Sequence, residues 1–344
     1  MKKTCIVAVL NFVFLSVFSQ TWQEADSLRD VYLEKESFDT ALIYAETAAE
    51  LVKEEFGEMD TLYADMLEGL LYVYYYLGKY DEAIRCGEKE KNIRVITQGS
   101  LHEKYGSCLN NLALLYKIMD QYDKALPLYL EALENCEKSL GKQHSEYGIR
   151  LSNLALLYSE MGQYDKALPL YLEALENCEK SLGKQHSAYG NRLNNLAGLY
   201  KSMGQYDKAL PLYLEALENT EKSLGKEHSS YGIRLNNLAL MYQSIGQYDK
   251  ALPLYLEALE NCEKSLGKDH SEYGISLNNL AGLYRRIGQY DKALPLYLEA
   301  LENCEKSLGK EHSSYGISLN NLGGLYSSIG QYDKALPLYL EALE

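Results

Sequence analysis

Histidine has the widest chemical scope of the residue types in this chain, and all its copies occupy one place in a repeating pattern. They are His102, His144, His186, His228, His270 and His312. Evenly spaced imidazoles suggest a ladder of metal ions as one hypothesis. Zinc ligands, however, must converge within about 2 Å of a single ion, and no cysteine or second histidine accompanies any of these. The sequence therefore predicts a loop or helix-capping role for the histidines and no metal site.

Cysteine follows the same spacing, at Cys136, Cys178, Cys262 and Cys304. Equivalent atoms of stacked helical units lie roughly 10 Å apart, whereas a disulfide requires Cα atoms within about 7 Å of each other. Free cysteine behaves as a small apolar residue. We therefore expect these cysteines to pack between helices without forming a disulfide framework.

No residue pattern typical of catalysis is present. The sequence lacks a Ser/His/Asp spacing, a phosphate-binding loop and a metal cluster. The 32 tyrosines recur at fixed helical positions, which is typical of a buried stripe. We expect a protein without enzymatic activity or cofactor.

These residues recur because the chain itself repeats every 42 residues. The string Gln-Tyr-Asp-Lys-Ala-Leu-Pro-Leu-Tyr-Leu-Glu-Ala-Leu-Glu starts at Gln121, Gln163, Gln205, Gln247, Gln289 and Gln331. A weaker form of the pattern extends back through Tyr74 to Tyr32. A fixed period of this length indicates a stack of supersecondary units. We predict two diverged units over residues 20–105 and six near-identical units over 106–344, the last of them truncated.

Each unit reads as two helices. In the unit that starts at Tyr147, apolar residues recur at intervals of three and four up to Gly162, which predicts an amphipathic helix ended by a glycine. A second apolar stripe runs from Ala167 to Cys178 and predicts a second helix, with Pro169 inside it and a small bend expected there. Two helices joined by a short turn form an antiparallel hairpin. The sequence thus predicts an all-α chain of eight tandem hairpins.

The pattern within the unit resembles the tetratricopeptide repeat (TPR). The matching residues are Leu151, Leu154, Ala155, Tyr158, Gly162, Tyr164, Ala167, Tyr171 and Ala174. The usual repeat has about 34 residues and a closing proline, whereas the 42-residue length and the Leu-Asn-Asn-Leu-Ala opening are similar to the kinesin-light-chain subtype, here of an exported bacterial kind. The resemblance implies a right-handed α-solenoid whose concave groove is lined by first helices. It also implies binding of peptides or proteins and no enzymatic activity.

A row of asparagines is the first candidate for ligand binding. The resemblance places it on the groove side of the first helices, at Asn111, Asn153, Asn195, Asn237, Asn279 and Asn321. A side-chain amide can donate to and accept from a peptide backbone. The alternative is hydrogen bonding between neighbouring units. The lysines with which some TPR domains clamp a terminal carboxylate are absent here, so a chaperone-tail clamp is not expected.

Arginines near the asparagine row are the second candidate. Arg192, Arg234 and Arg285 lie on first helices, and the place of Arg192 and Arg234 is taken by Ser276 and Ser318 in later units. A basic stripe inside an acidic protein favours an acidic or extended peptide. Neutral drift on a solvated surface is the alternative interpretation.

Composition limits the partners and the compartment. The formal net charge of −15 argues against a nucleic-acid partner, because phosphate binding needs a basic face. Lys2 and Lys3 precede an apolar run, which is typical of a secretory signal peptide over residues 1–19, with an uncleaved anchor as the alternative. We expect a periplasmic or extracellular protein whose mature chain does not enter a membrane.

Two functional hypotheses remain after these exclusions. The first is a scaffold that holds proteins or peptides in its groove. The second is the sensor or regulatory repeat region of a larger signalling or protease protein. Repeat arrays normally end in a polar cap, so the chain's end at Glu344, inside a helix, favours the second hypothesis. Self-association through that C-terminal end is a third hypothesis.

Overall fold

The computed structural model describes residues 21–343, so the predicted signal peptide lies outside the described residues. Over this range the chain forms sixteen α-helices and no strand. The helices are α1 (Trp22–Glu34), α2 (Phe38–Phe56), α3 (Thr61–Tyr76), α4 (Tyr80–Thr97), α5 (Glu103–Ile118), α6 (Tyr122–Ser139), α7 (Ser145–Glu160), α8 (Tyr164–Ser181), α9 (Ser187–Ser202), α10 (Tyr206–Leu224), α11 (Ser229–Ser244), α12 (Tyr248–Ser265), α13 (Ser271–Arg286), α14 (Tyr290–Ser307), α15 (Ser313–Ser328) and α16 (Tyr332–Glu341). Consecutive helices pair in antiparallel fashion, which confirms the prediction of an all-α solenoid built from eight helical hairpins.

The chain divides into two compact units, Met1–Leu128 and Tyr129–Glu344, with the boundary inside α6. This division follows contacts between residues. The division predicted at residues 105 and 106 follows sequence similarity between repeats, so it stays a prediction.

The histidines begin the first helices, as the capping interpretation predicted. Each stands at the N-cap in an extended conformation, and its Nδ1 accepts a hydrogen bond from the backbone N–H two residues later at 3.1–3.2 Å. One of the orphan N–H groups of the helix start is thereby satisfied. Within residues 21–343 no group of three or more His, Cys, Asp or Glu side chains is arranged to hold a metal ion.

Positive-φ residues end the helices. Gly162 follows α7 at φ 71°, and Gly183 follows α8 at φ 85°. Asp120 occupies the place of Gly162 one period earlier and adopts φ 55°. A left-handed residue after a helix favours glycine because a Cβ is strained there.

Small and large residues alternate in the core of the second unit. Ala155 and Ala167 are fully buried and pack with Tyr171 against Leu196 and Leu199 of the next hairpin. The same cluster recurs at the following hairpins. The tyrosines of this stripe are therefore core residues, as the sequence predicted. Cys136, Cys178, Cys262 and Cys304 are buried and form no disulfide within the described residues, and their burial confirms their packing role.

The proline of each repeat does not interrupt its helix. Pro169 is exposed and lies inside α8, which continues to Ser181. A bend at this position stays a prediction. Across the part of the chain that the structure describes, no helix combines the length and apolar character required to cross a bilayer.

An asparagine on each of the second helices α10, α12 and α14 braces its hairpin, a role that the sequence reasoning missed. The Oδ1 of Asn219 on α10 accepts from the backbone N–H of Gly190 on α9 at 3.0 Å. Its Nδ2 donates to the carbonyl of Lys184 in the preceding loop at 2.6 Å. Asn261 and Asn303 make the same contacts one and two periods later. The first helix is thus fixed in position by a buried amide.

Candidate functional site

The open side of the first helices is the candidate binding surface of the second unit. Consecutive first helices, from α7 to α15, approach one another more closely than consecutive second helices do. The stack within this unit is therefore narrower on the side of its first helices. That this side is the concave inner face stays a prediction.

The predicted asparagine row lies on this open side. On α9 the exposed or half-buried residues Asn191, Asn195, Gly198 and Ser202 are spaced by three or four and share one face. Asn195 is half-buried, and so are its equivalents Asn111, Asn153, Asn237, Asn279 and Asn321. Each amide therefore has a partly accessible polar end. Their role in ligand binding stays a prediction.

The asparagine pairs also connect neighbouring hairpins, so the alternative interpretation holds for part of the row. Asn237 on α11 donates to the Oδ1 of Asn194 on α9 at 3.0 Å. Asn236 donates to the Oγ of Ser276 on α13 at 3.2 Å. In the first unit, Asn111 donates to the hydroxyl of Tyr72 at 3.1 Å. Asn195, Asn279 and Asn321 make no hydrogen bond to another described side chain, so their amides are available to a ligand.

Two of the predicted arginines are largely desolvated cations without an ion pair. Arg234 is only 8% exposed and donates through Nη2 to the Oδ1 of Asn191, while its Nε has no partner among the described residues. Arg192 is mostly buried and likewise has an Nε without a partner. Neither has a carboxylate of residues 21–343 within ion-pair distance. Burial lowers the pKa of both guanidinium groups.

A lysine on α9 adds to this positive charge. Lys201 is half-buried, has no ion pair within the described range, and burial lowers its pKa. Arg150, one period before Arg192, differs because its guanidinium lies 3.3 Å from the carboxylate of Glu146. The helices α9 and α11 thus carry Arg192, Lys201 and Arg234 as cations without an ion pair in the described range, although the charge of Glu146 also acts on Arg192.

Arg285 reaches from α13 toward the neighbouring first helix. Its guanidinium occupies the space over Gly324 on α15 that a Cβ would fill. Its charge also acts on the hydroxyl of Tyr297, whose pKa is raised by burial. The third predicted arginine thus lies apart from Arg192 and Arg234, nearer the C-terminal end of its helix.

One position of the open stripe holds leucine in some repeats and glycine in others, and the glycines lie next to the hydroxyls of buried tyrosines. Gly198 leaves the hydroxyl of Tyr213 3.6 Å from the point where a Cβ would stand. Burial raises the pKa of Tyr213 to about 12, so the hydroxyl stays protonated at neutral pH. Leu240 occupies this position on α11 and is 37% exposed. The surface therefore offers apolar contacts beside its cations.

The family of this chain follows from comparison with known proteins. The Tetratricopeptide repeat model matches five overlapping stretches, residues 105–180, 150–222, 186–264, 233–305 and 273–344. No curated protein is significantly similar to the chain in sequence.

Solved structures show the same architecture. BtubC (BKLC) from P. vanneervenii is 25% identical with a TM-score of 0.53, and the match covers 64% of this chain and 89% of that one. A Rap protein complexed with Competence and Sporulation Factor is 14% identical with a TM-score of 0.59, covering 94% and 96%. Repeats assigned to a kinesin light chain of Podosopora anserina are 27% identical with a TM-score of 0.48, covering 58% and 94%. With the repeat model matched over most of its length, the chain belongs to the tetratricopeptide repeat family.

Proposed function

We propose that this protein is a non-enzymatic scaffold that binds an extended polypeptide with acidic side chains on the open face of its first helices. The observation that carries the proposal is the pair of desolvated cations Arg192 and Arg234, which have no carboxylate partner within residues 21–343. A buried charge is costly unless it is paired, so a ligand carboxylate would supply what the chain does not.

The polar groups beside these cations suit a peptide backbone. The side-chain amides of Asn195 and Asn279 can each donate and accept a hydrogen bond. Leu240 and Ile233 are exposed on the same face at 37% and 38%. A chain that lies across the first helices would meet alternating polar and apolar contacts, and the family's repeat scaffold is typical of protein binding.

A screen of a random peptide library against residues 20–344 tests the proposal. We expect the selected peptides to be enriched in aspartate and glutamate. The double variant Arg192→Gln/Arg234→Gln should weaken their binding, because a ligand carboxylate then loses its cationic partners. Removal of unpaired buried cations should leave the fold intact.

Substitution of the asparagines provides a second test of the proposal. Asn195→Ala/Asn279→Ala should weaken binding by about 1 kcal/mol per lost hydrogen bond. The matched control is Lys222→Gln/Lys264→Gln, which removes two exposed lysines of second helices that pair with Glu218 and Glu260. Unchanged peptide affinity in both groove variants would show that the surface is not the binding site.

A further inference from the structure

A cavity of about 240 Å³ separates two first helices of the second unit. It lies between α11 and α13, with Cys262 of α12 in its wall, and Ile233 of the open face at its rim. Asn236, Glu272 and Ser276 supply polar groups to its lining. The cavity is smaller than the roughly 300–1,000 Å³ sites that hold drug-sized ligands, so it suits a single side chain or a molecule of that size.

The position of Ser276 is occupied by an arginine in earlier hairpins. Ser276 stands one period after Arg234 and two periods after Arg192. The charge of Arg192 acts on the thiol of Cys178, whose equivalent, Cys262, lines the cavity. The change from arginine to serine therefore removes a long cationic side chain from the contact between the two first helices, which we call the junction.

The cavity keeps hydrogen-bond acceptors that suit the missing cation. Asn236 is 9% exposed, and its buried Oδ1 has no partner among the described residues. Its Nδ2 donates to the Oγ of Ser276 at 3.2 Å, which fixes the amide in this orientation. Buried acceptors of this kind are rare in native proteins and require an explanation.

A carboxylate occupies the place from which it pairs with arginine elsewhere in the chain. Glu272 lines the cavity and stands four residues before Ser276. Glu146 stands four residues before Arg150, and their side chains form an ion pair at 3.3 Å. Here the carboxylate is thus retained, where it also interacts with another group of the chain, and the arginine is absent.

We propose that this cavity is a binding site for a guanidinium group, which a bound polypeptide presents as an arginine side chain. A guanidinium is planar, carries five N–H donors and can bind a carboxylate and an amide oxygen together. It would reproduce the contact that Arg150 makes with Glu146. The polypeptide source rests on the proposed function, whereas the guanidinium site stands without it.

The next junction provides an internal control. Ser318 also replaces the arginine, and Asn278 donates to its Oγ at 3.1 Å. The residue four positions earlier, however, is Ser314. This junction has the serine and the asparagine without the carboxylate, so it should bind a guanidinium more weakly.

Calorimetric titration with N-acetyl-arginine methylamide tests the site itself. Wild-type protein should bind it saturably. The citrulline analogue, which is neutral and of the same shape, should bind with about one tenth of that affinity or below, as expected for loss of a charge-assisted hydrogen bond. Ser276→Arg should abolish binding because it restores the residue found at Arg234, and Glu272→Gln should weaken it by a similar factor. Ser318→Arg should leave it unchanged.

Two outcomes would overturn the guanidinium site. One is the absence of saturable binding to the wild type, and the other is equal binding of the arginine and citrulline analogues. Ser276→Leu, which fills the same space with apolar atoms, is a second variant in case Ser276→Arg folds poorly. Binding that survives in a folded Ser276 variant also contradicts the proposal.

Peptides from the library screen test whether the guanidinium group belongs to a bound polypeptide. Replacing their arginine by citrulline should weaken binding to the wild type about tenfold and leave binding to Ser276→Arg unaffected. If the small probe binds and this replacement has no effect, the polypeptide source is wrong and the site takes a free guanidinium compound. If peptides bind while the probe does not, the guanidinium site is wrong and the proposed function stands.

Discussion

At the scale of single residues, the first unit contains a buried cluster with more carboxylates than cations. Arg94 is fully buried and its guanidinium contacts Glu90 at 2.6 Å, Asp65 at 2.9 Å and Glu68 at 3.4 Å. Lys104 contributes a second cation, 2.7 Å from Asp65. Three acids thus share two cations. Burial, together with the charge of Glu68, raises the pKa of Glu90 to about 7 despite the opposing charge of Arg94.

This cluster should make the first unit less stable as pH rises through neutrality. The pKa of Glu90 is higher in the folded state than its ordinary value of 4.5, so the folded state retains a proton that the unfolded state has lost. The stabilisation is complete below about pH 4.5 and disappears as pH rises through 7. Relative to Glu90→Gln, which cannot titrate, the wild type should lose about 1–2 kcal/mol of unfolding free energy between pH 5.5 and 8.

Fluorescence of Trp22 provides the measurement, because this is the chain's one tryptophan and it packs against the core of the first unit. Denaturation curves of the wild type and the variant would be compared across the pH range. Parallel pH profiles for the two proteins would mean that Glu90 stays ionised beside Arg94.

The sequence predicted single residues well where their role is local. The capping histidines and the buried cysteines followed from spacing alone, because a helix start and an apolar stripe depend on nearby residues. The cavity at Ser276 did not follow, although the change from Arg234 to Ser276 was visible and was interpreted as groove chemistry or drift. Whether an arginine fills a junction depends on contacts between residues about 40 positions apart, and a single sequence does not show them.

At the scale of helices, two glycines of α9 show how a hairpin is held together. Gly190 lies under Asn219, so a Cβ there would be 2.5 Å from the Asn219 Oδ1. Gly198 lies farther along the same helix, and its nearest atom would be the Tyr213 hydroxyl at 3.6 Å. The same substitution should therefore have opposite effects at the two positions.

Gly198→Ala should stabilise the second unit by up to about 1 kcal/mol, the difference in helix propensity between alanine and glycine. Gly190→Ala should destabilise it by about 1–3 kcal/mol, because the displaced amide leaves buried groups of the hairpin unpaired. Urea denaturation followed by circular dichroism measures both. An increase in stability for Gly190→Ala would show that the asparagine brace is dispensable.

The helices themselves were predictable because the sequence of each is repeated several times in one chain. The apolar periodicity, the glycines after helices and the tetratricopeptide pattern all agreed on hairpins. The brace could have been found from the fixed interval between Gly190 and Asn219, which recurs between Gly232 and Asn261. It was missed because the copies are nearly identical, so comparison between repeats does not distinguish a residue that braces the hairpin from its neighbours.

At the scale of the whole molecule, near-identical repeats should be removable without loss of fold. Deletion of residues 205–246, one full period, joins Gly204 to Gln247 and recreates a junction already present in the chain. Mean helicity per residue should not change, and the denaturant m-value should fall because less surface is exposed on unfolding. Circular dichroism and urea titration measure these quantities.

A deletion of half a period is the control. Removing residues 205–225 takes away α10 and places two first helices in succession, so the alternation of helices is lost. This variant should lose helicity or aggregate. If the full-period deletion behaves in the same way, the hairpins are not independent of one another.

The alternation of Leu240 with Gly198, and of Arg234 with Ser276, has a consequence for how an elongated partner is aligned. Repeats of identical surface would let such a partner settle equally well at several positions, each displaced by one hairpin from the last. Every site of equal affinity then adds to the number of bound arrangements, and none is preferred. Substitutions confined to single repeats remove this translational degeneracy, so a few residues that differ from copy to copy can fix where along the array a partner starts.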